Sequence, residues 1–430
     1  MISASSDPRL EPVLAAAARK PVWLRVGRLF DGRHVVRDAH LVFEGARIRH
    51  AGADSPSTTM SLAQSAPDLE LPGYTALPGL IDAHVHLFLE GGEEKPERRA
   101  RYLKLDDAEL LDRAHGRLER LLRIGITAVR DAGDRNGVGL ALQRRYRSAA
   151  RGAMPYLDSP GAALHHRGRY GAFMGRAIEE DATIEAAVAA RSAEGVHRIK
   201  LLATGIINFE QGAVTAKPQL DADELARAVA AARAHRRQTM VHCSGADGVE
   251  NCLAARVDTI EHGFFVTDEQ LARLRDLDVA WVPTFAPVRF QLDQADALGW
   301  SEPVRDNLRR ILDGHVRSLA RAAALGVRII AGSDAGSHGV PHGHGFLREL
   351  ELMAEAGLGP EQILRAATAA SADRLGFAEE IGSLRPGAAA RFLLSPAPVL
   401  DDVRHLRNPL VTVFDGRVFA GGDDAAVPGL

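Results

Sequence analysis

The chain has 430 residues, of which 46% are hydrophobic and 25% charged, a balance that describes a globular protein with ample core. A net charge of −3 offers no basic footprint for nucleic acid, and no run approaches the roughly 18 apolar residues that a membrane span requires. Two cysteines, Cys243 and Cys252, exclude a disulfide framework, and the charged stretch Met1–Lys20 lacks the apolar core of a signal peptide, which predicts a cytoplasmic protein.

In chain order, residues 10–18 read as a short helix. Val22-Trp-Leu-Arg-Val, His34-Val-Val, His40-Leu-Val-Phe and Ala46-Arg-Ile-Arg read as short antiparallel strands, and Asp54–Ser65 as a Ser/Thr/Ala-rich loop. The stretch Leu77-Pro-Gly-Leu-Ile-Asp-Ala-His-Val-His-Leu87 follows. As a strand it would send Asp82, His84 and His86 to one face and Ile81, Ala83 and Val85 to the other. Two imidazoles at i and i+2 on a strand end suit a single metal ion.

From Asp107 onward, helical periods alternate with short apolar runs. Helices are expected over 107–124, 140–151, 182–194, 221–236, 246–255, 268–277 and 303–325, the fourth opening on the capping sequence Asp221-Ala-Asp-Glu. The intervening strands are 127–133, 155–159, 198–205, 239–243, 258–262, 279–284 and 327–334. Counting from Leu77, eight strands each lead into helical sequence, which predicts a (β/α)₈ TIM barrel. Helices at 346–356 and 360–370 follow. Short strands then return at 390–394, 410–414 and 417–419, so the barrel is expected to be inserted into a small β-sandwich domain formed by both chain ends. The implied boundaries are 1–76, 77–378 and 379–430.

Chemistry in such a barrel sits at the C-terminal ends of the strands. Those ends supply His84 and His86, Lys200, His242, His262 and Asp334. Each closes or lies within an apolar run, where a charged group costs several kcal/mol unless it is paired or coordinated. Six such residues on five strands point to a metal centre. Cys243, next to His242, would face away from it and reads as a buried small residue.

With those residues in place, the chain resembles the amidohydrolase superfamily over almost its full length. The matching pieces are Pro78-Gly-Leu-Ile-Asp-Ala-His-Val-His, Ile199-Lys-Leu-Leu-Ala-Thr-Gly, Val241-His, Ile260-Glu-His-Gly, Gly332-Ser-Asp-Ala-Gly and the return strand Leu384-Arg-Pro-Gly-Ala-Ala-Ala-Arg-Phe. Within it, the chain is similar to the imidazolonepropionase/prolidase-like branch of binuclear metal-dependent hydrolases. The resemblance implies two divalent metal ions, zinc by default, one on His84, His86 and Asp334 and one on His242 and His262. Lys200 would bridge them as a carbamate. An ammonium between two cations would be repelled, whereas a carbamate is an anionic two-oxygen bridge. Asp334 would both ligate and take the proton of a metal-bound water, so that hydroxide attacks an amide-like carbonyl.

The expected partner is a small-molecule substrate, plausibly an N-acyl amino acid or a dipeptide, in a chain that could also form a homo-oligomer. The alternatives are a mononuclear cyclic amidine or imidazolone hydrolase or deaminase, and a lactonase or phosphotriesterase on the same site. His165 and His166 stand where relatives carry a Gly-Gly-His loop whose histidine contacts the substrate carbonyl, although Ala-Leu-His-His-Arg-Gly-Arg-Tyr departs from that pattern. The Gly-rich loop 205–218, with Asn208, Glu210 and Gln211, is expected to line the entrance. His338, His342 and His344 are candidates for shaping the pocket, and Arg167, Arg169 and Arg289 for receiving a substrate carboxylate.

Overall fold

The computed structural model describes residues 8–56, 65–93, 95–148 and 154–421. The start of the expected N-terminal segment, most of the 54–65 loop and the end of the 140–151 helix therefore lie outside the described residues. Strands from both chain ends form one seven-stranded sheet, ordered Arg417–Ala420, Val411–Phe414, Arg391–Ser395, Leu69–Pro78, Val22–Phe30, Val35–Glu44 and Arg47–Gly52. The pieces expected at 34–36 and 40–43 are one continuous strand. Leu69–Pro78 went unread because Pro72-Gly73 interrupts its alternation. It pairs parallel with Val22–Phe30 and accommodates the break at a bulge between Val26 and Arg28. A Cβ on Gly27 would lie 1.9 Å from the Pro72 carbonyl oxygen, so only glycine fits there. Leu10 and Leu14 pack into this sheet's core, and Phe43 meets Phe392 edge-on.

The chain passes from this sheet, after Pro78 and Gly79, straight into Leu80–Val85, the first of the parallel strands. Leu80–Val85, Ile126–Asp131 and Tyr156–Asp158 form a three-stranded parallel sheet. Gly175–Ala177, Ala163–His165, Arg198–Leu202, Gln238–Cys243, Thr259–His262 and Ala280–Val282 form a six-stranded one. Backbone hydrogen bonds link the two. Ile330 N donates to Trp281 O, while Ala83 N donates to Ala331 O and Asp334 N to His84 O; beyond the third strand His197 N, just before Arg198–Leu202, donates to Ser159 O. The expected eighth strand thus lies between the seventh and the first, as isolated bridges rather than a regular strand, and ends on a left-handed Asp334 (φ 56°).

The expected helices form, and four of them begin at a side-chain N-cap. Among these four, Asp221 accepts from Glu224 N, Asp106 from Glu109 N, and Thr267 with Gln270 makes a capping box. The stretch expected as one helix at 360–370 is two, Pro360–Ala366 and Ala369–Leu375, separated at Thr368, whose backbone (φ −138°, ψ −99°) leaves the helical region. Two further helices, Pro96–Tyr102 and Ala286–Asp293, lie in stretches to which the sequence pattern assigns no element; both follow strands and begin at or beside a proline, where a missing N–H costs nothing.

The alternation read into the first strand is only partly kept. Its pairing with Ile126–Asp131 slips between Asp82 and Val85, so Ile81 and Ala83 join one core cluster and Val85 another. Asp82 turns to the neighbouring strand, where its carboxylate accepts from Ser333 N (3.0 Å) and Ser333 Oγ (2.6 Å). The close approach behind this strand is tight: a Cβ on Gly332 would lie 2.7 Å from Val282 Cγ1 and 2.9 Å from His84 Cβ. Gly332→Ala is therefore expected to destabilise the chain by about 1–3 kcal/mol, as overpacking does, read as a lowered urea midpoint with an unchanged slope.

Candidate metal centre

Three of the histidines have one ring nitrogen committed to the protein. His84 Nδ1–H donates to Glu261 Oε2 at 2.8 Å and His86 Nδ1–H to the Gly133 carbonyl at 3.3 Å. His262 Nδ1 lies 2.7 Å from Thr284 Oγ1, and the Thr284 hydroxyl itself donates to Pro283 O, so the ring must be the donor. Each bond leaves the Nε2 lone pair free. His242 is reversed: its Nε2 faces the Gly205 carbonyl at 3.4 Å, which frees Nδ1. Its ring centroid lies 4.6 Å from that of His262.

Asp334 Oδ1 lies 3.6 Å from His84 Nε2 and 3.4 Å from His86 Nε2. His84 Nε2 and Asp334 Oδ1 are both buried without any hydrogen-bond partner, which is rare for buried polar atoms. Ligand atoms of His84, His262 and Asp334 come within 4.8 Å of one another. An orphaned carboxylate oxygen beside free imidazole lone pairs is a donor set that fits a divalent cation. Of the six residues expected at strand ends, His86, Lys200, His242, His262 and Asp334 line one cavity, with His84 buried against it.

Burial sets the protonation of the group. It pushes His86 and His242 down to about 3, with the charge of Lys200 adding to the effect, and holds His84 and His262 well below the ordinary imidazole range. All four are thus neutral, the form that binds metal. Burial also lowers Lys200 to about 8, helped by Arg130, and raises Asp334 to about 7.

The residues that orient this set are not among those the sequence pattern singles out. Glu261 holds His84 and is itself held by Arg130, whose Nη2 donates to both carboxylate oxygens at 2.9 and 2.8 Å. Arg130 Nη1 donates to Thr259 Oγ1 and its Nε to the Ala83 carbonyl. Both charges are fully buried. The available signal was the same as for the ligands, a charge inside an apolar run, here in Thr127-Ala-Val-Arg and Ile260-Glu-His. A second mark of the site is backbone strain. His262 (φ 71°), Thr284 (φ 49°) and Asp334 (φ 56°) are left-handed at the ends of three successive strands, a conformation that costs non-glycine residues about 1 kcal/mol or more.

The expected substrate contacts lie elsewhere. His165 belongs to the short strand Ala163–His165 and donates through Nδ1 to the His166 carbonyl; His166 sits between Glu179 (2.8 Å) and Glu224 (3.2 Å). Neither lines the cavity. Tyr170, from the same loop, does, with its ring 5.2 Å from His242 and its phenol pushed up by burial. Arg169 is spent on the Lys217 carbonyl and Arg289 on Asp293, while Arg167 N donates to Glu179; none of these arginines reaches the cavity wall. His338 lines the cavity, whereas His342 is half-buried beside the His86 backbone and His344 opens the helix His344–Glu355. The 205–218 loop contributes Ile206, Ile207 and Phe209, while Asn208 folds back to accept from Gln211 N. Cys243 is buried and Cys252 beside it, both as free thiols.

The cavity measures about 360 Å³, within the usual range for small-molecule sites, and its upper wall is apolar: Leu89, Phe173, Ile206, Phe209, Phe264 and Val288.

A family model, Amidohydrolase family, matches residues 75–419. Uncharacterized proteins of Mycobacterium tuberculosis and Mycobacterium bovis are 26% identical over 361 residues, covering 82% of this chain and 87% of theirs. Among solved structures, a candidate prolidase from Bifidobacterium longum is 27% identical with a TM-score of 0.74, covering 93% of this chain and 94% of that one. A Xaa-Pro dipeptidase with methionine in its active site is 24% identical with a TM-score of 0.79, over 93% and 100%. An Aspergillus niger ochratoxinase is 21% identical with a TM-score of 0.77, over 96% and 99%.

Two outcomes follow from the geometry. Glu261→Gln keeps the shape but weakens the hold on His84, and is expected to lower metal affinity about 10–100-fold in chelator competition. Burial opposes the charge of His166, but its bonds to Glu179 and Glu224 raise its pKa above the ordinary 6.5. Its stabilisation is then fully present below pH 6.5 and is lost as pH rises through the folded value. His166→Asn should therefore cost more stability near pH 6 than near pH 9 in thermal melts.

Proposed function

The chain belongs to the amidohydrolase family and is a hydrolase, and within that family we propose that it cleaves an amide C–N bond in an N-acyl amino acid or dipeptide with the help of two divalent metal ions. The observation that carries this reading is the convergence of His86, His242, His262, Asp334 and Lys200 on one cavity, with His84 clustered against His262 and Asp334, free imidazole lone pairs and an unpaired buried carboxylate oxygen.

His84, His86 and Asp334 would hold one ion and His242 with His262 the other. Lys200 would bridge them after its amine attacks CO₂, forming an N–C bond and releasing a proton to give the carbamate. Bound there, the metal pair would supply an acidified water and polarise the substrate carbonyl. Asp334, on the cavity floor, would take up a proton there and return it to the departing nitrogen. Glu261 and Arg130 keep His84 in the tautomer that offers Nε2. The apolar wall excludes water and strengthens every electrostatic contact at the cavity floor. The likeness to a candidate prolidase supports a substrate with an amino-acid leaving group.

One observation favours a second reading. The tightest cluster joins only His84, His262 and Asp334, which suits a single ion and a cyclic amidine or imidazolone substrate. The same nucleophile could also open a lactone or a phosphotriester.

Metal content separates the two. Protein produced with zinc and bicarbonate is expected to hold about two ions per chain, falling clearly in Lys200→Ala, with acyl-amino-acid hydrolysis lowered at least ~10²-fold. One ion in both proteins would overturn the bridged pair and favour the cyclic substrates.

A further inference from the structure

Arg99 is the one arginine that lines the cavity among the described residues. It lies on the helix Pro96–Tyr102, in the segment that follows the His84/His86 strand end. Its Nη1 donates to the Glu90 carbonyl at 2.7 Å and its Nη2 to the Gly336 carbonyl at 2.8 Å. Both partners are neutral, so they orient the guanidinium without cancelling its charge. The charges of Asp334 and Glu90 act on Arg99 from beyond ion-pair distance, while Glu90 pairs with Arg117 and Glu93 with Arg98. Among the described residues Arg99 has no ion pair, and three of its five N–H groups remain for a ligand.

The anchor also fixes where that charge stands. Gly336 is two residues beyond Asp334, so the loop that brings the carboxylate to the cavity floor also holds Arg99 at its side. Leu89, Phe173, Ile206 and Val288 line the same cavity. A half-buried guanidinium on an apolar wall is costly unless an anion completes it, and its planar fork matches a carboxylate.

We propose that Arg99 receives the free carboxylate of the substrate, making the enzyme selective for N-acylated amino acids that pair a terminal carboxylate with an apolar side chain. The inference rests on the amide-hydrolase reading and assigns its specificity.

The test compares N-acetyl-phenylalanine with N-acetyl-phenylalaninamide on the metal-loaded full chain, following acetate release. The parent is expected to favour the acid by about 10² in kcat/KM, as for other desolvated charge pairs. In Arg99→Gln that ratio should collapse to within a few-fold of one, while Arg99→Lys, which keeps the charge, should keep part of it. Equal hydrolysis of both compounds by the parent, or a ratio unchanged in Arg99→Gln, overturns the proposal. If Arg99→Gln loses metal or unfolds, Arg99→Lys decides: a full acid preference there shows that the guanidinium fork is not what reads the carboxylate and overturns the proposal. Calorimetry on the same pair separates this proposal from the reading beneath it. A parent that hydrolyses neither compound refutes amide hydrolysis; acid-selective binding lost in Arg99→Gln still upholds the anion site, and equal binding of both compounds overturns it.

Discussion

The buried pair Arg130–Glu261 is the interaction on which the site depends. It joins three strands: Arg130 rises from Ile126–Asp131, Glu261 from Thr259–His262, and the carboxylate reaches across to His84 at the end of Leu80–Val85. Arg130 also takes the Ala83 carbonyl, so the backbone next to His84 is held by the same side chain. A fully buried ion pair adds little net stability against an apolar replacement, because desolvation offsets the attraction. What it does supply here is direction. It holds an imidazole in one tautomer and one orientation, and it places a negative charge behind a ring whose Nε2 lone pair is left free.

The same low dielectric explains the rest of the floor. Four histidines kept neutral by burial are ready to ligate, and an aspartate oxygen with no donor is a standing demand for a cation. Left empty, such a floor would be costly; the left-handed backbone at His262, Thr284 and Asp334 adds to that cost. The seven-stranded sheet, the capped helices and the parallel strands have to over-determine these residues for the geometry to persist.

This division explains what could be read from the amino acids. Strand ends were legible because a histidine, lysine or aspartate closing an apolar run conflicts with its surroundings, and such conflicts mark function. His84, His86, Lys200, His242, His262 and Asp334 all carry that mark. Arg130 and Glu261 carry it too, but an arginine and a glutamate are equally at home in a solvated face, so nothing local distinguishes them. The strand Leu69–Pro78 was hidden because its Pro-Gly break is excused only by Gly27 on its partner, a contact between distant segments. The helix at Pro96–Tyr102 was hidden because it is short and polar, with its packing supplied by neighbours.

Loop residues were the least legible, for a physical reason. His165 and His166 occupy an expected place in the chain, yet a short strand and two glutamates turn them away, and Tyr170 takes the cavity position four residues on. In the 205–218 loop the Asn208 side chain holds the turn while Ile206, Ile207 and Phe209 face the cavity, the reverse of the usual assumption about polar loops. In both cases the outcome depends on which backbone groups need partners, and that is settled only after the loop folds. A strand end has one inward direction fixed by the sheet, whereas a loop has many. The candidate metal set of this fold is therefore written in its strands, whereas Arg99 and Tyr170 are side chains that only the folded segments after the strands bring into the cavity.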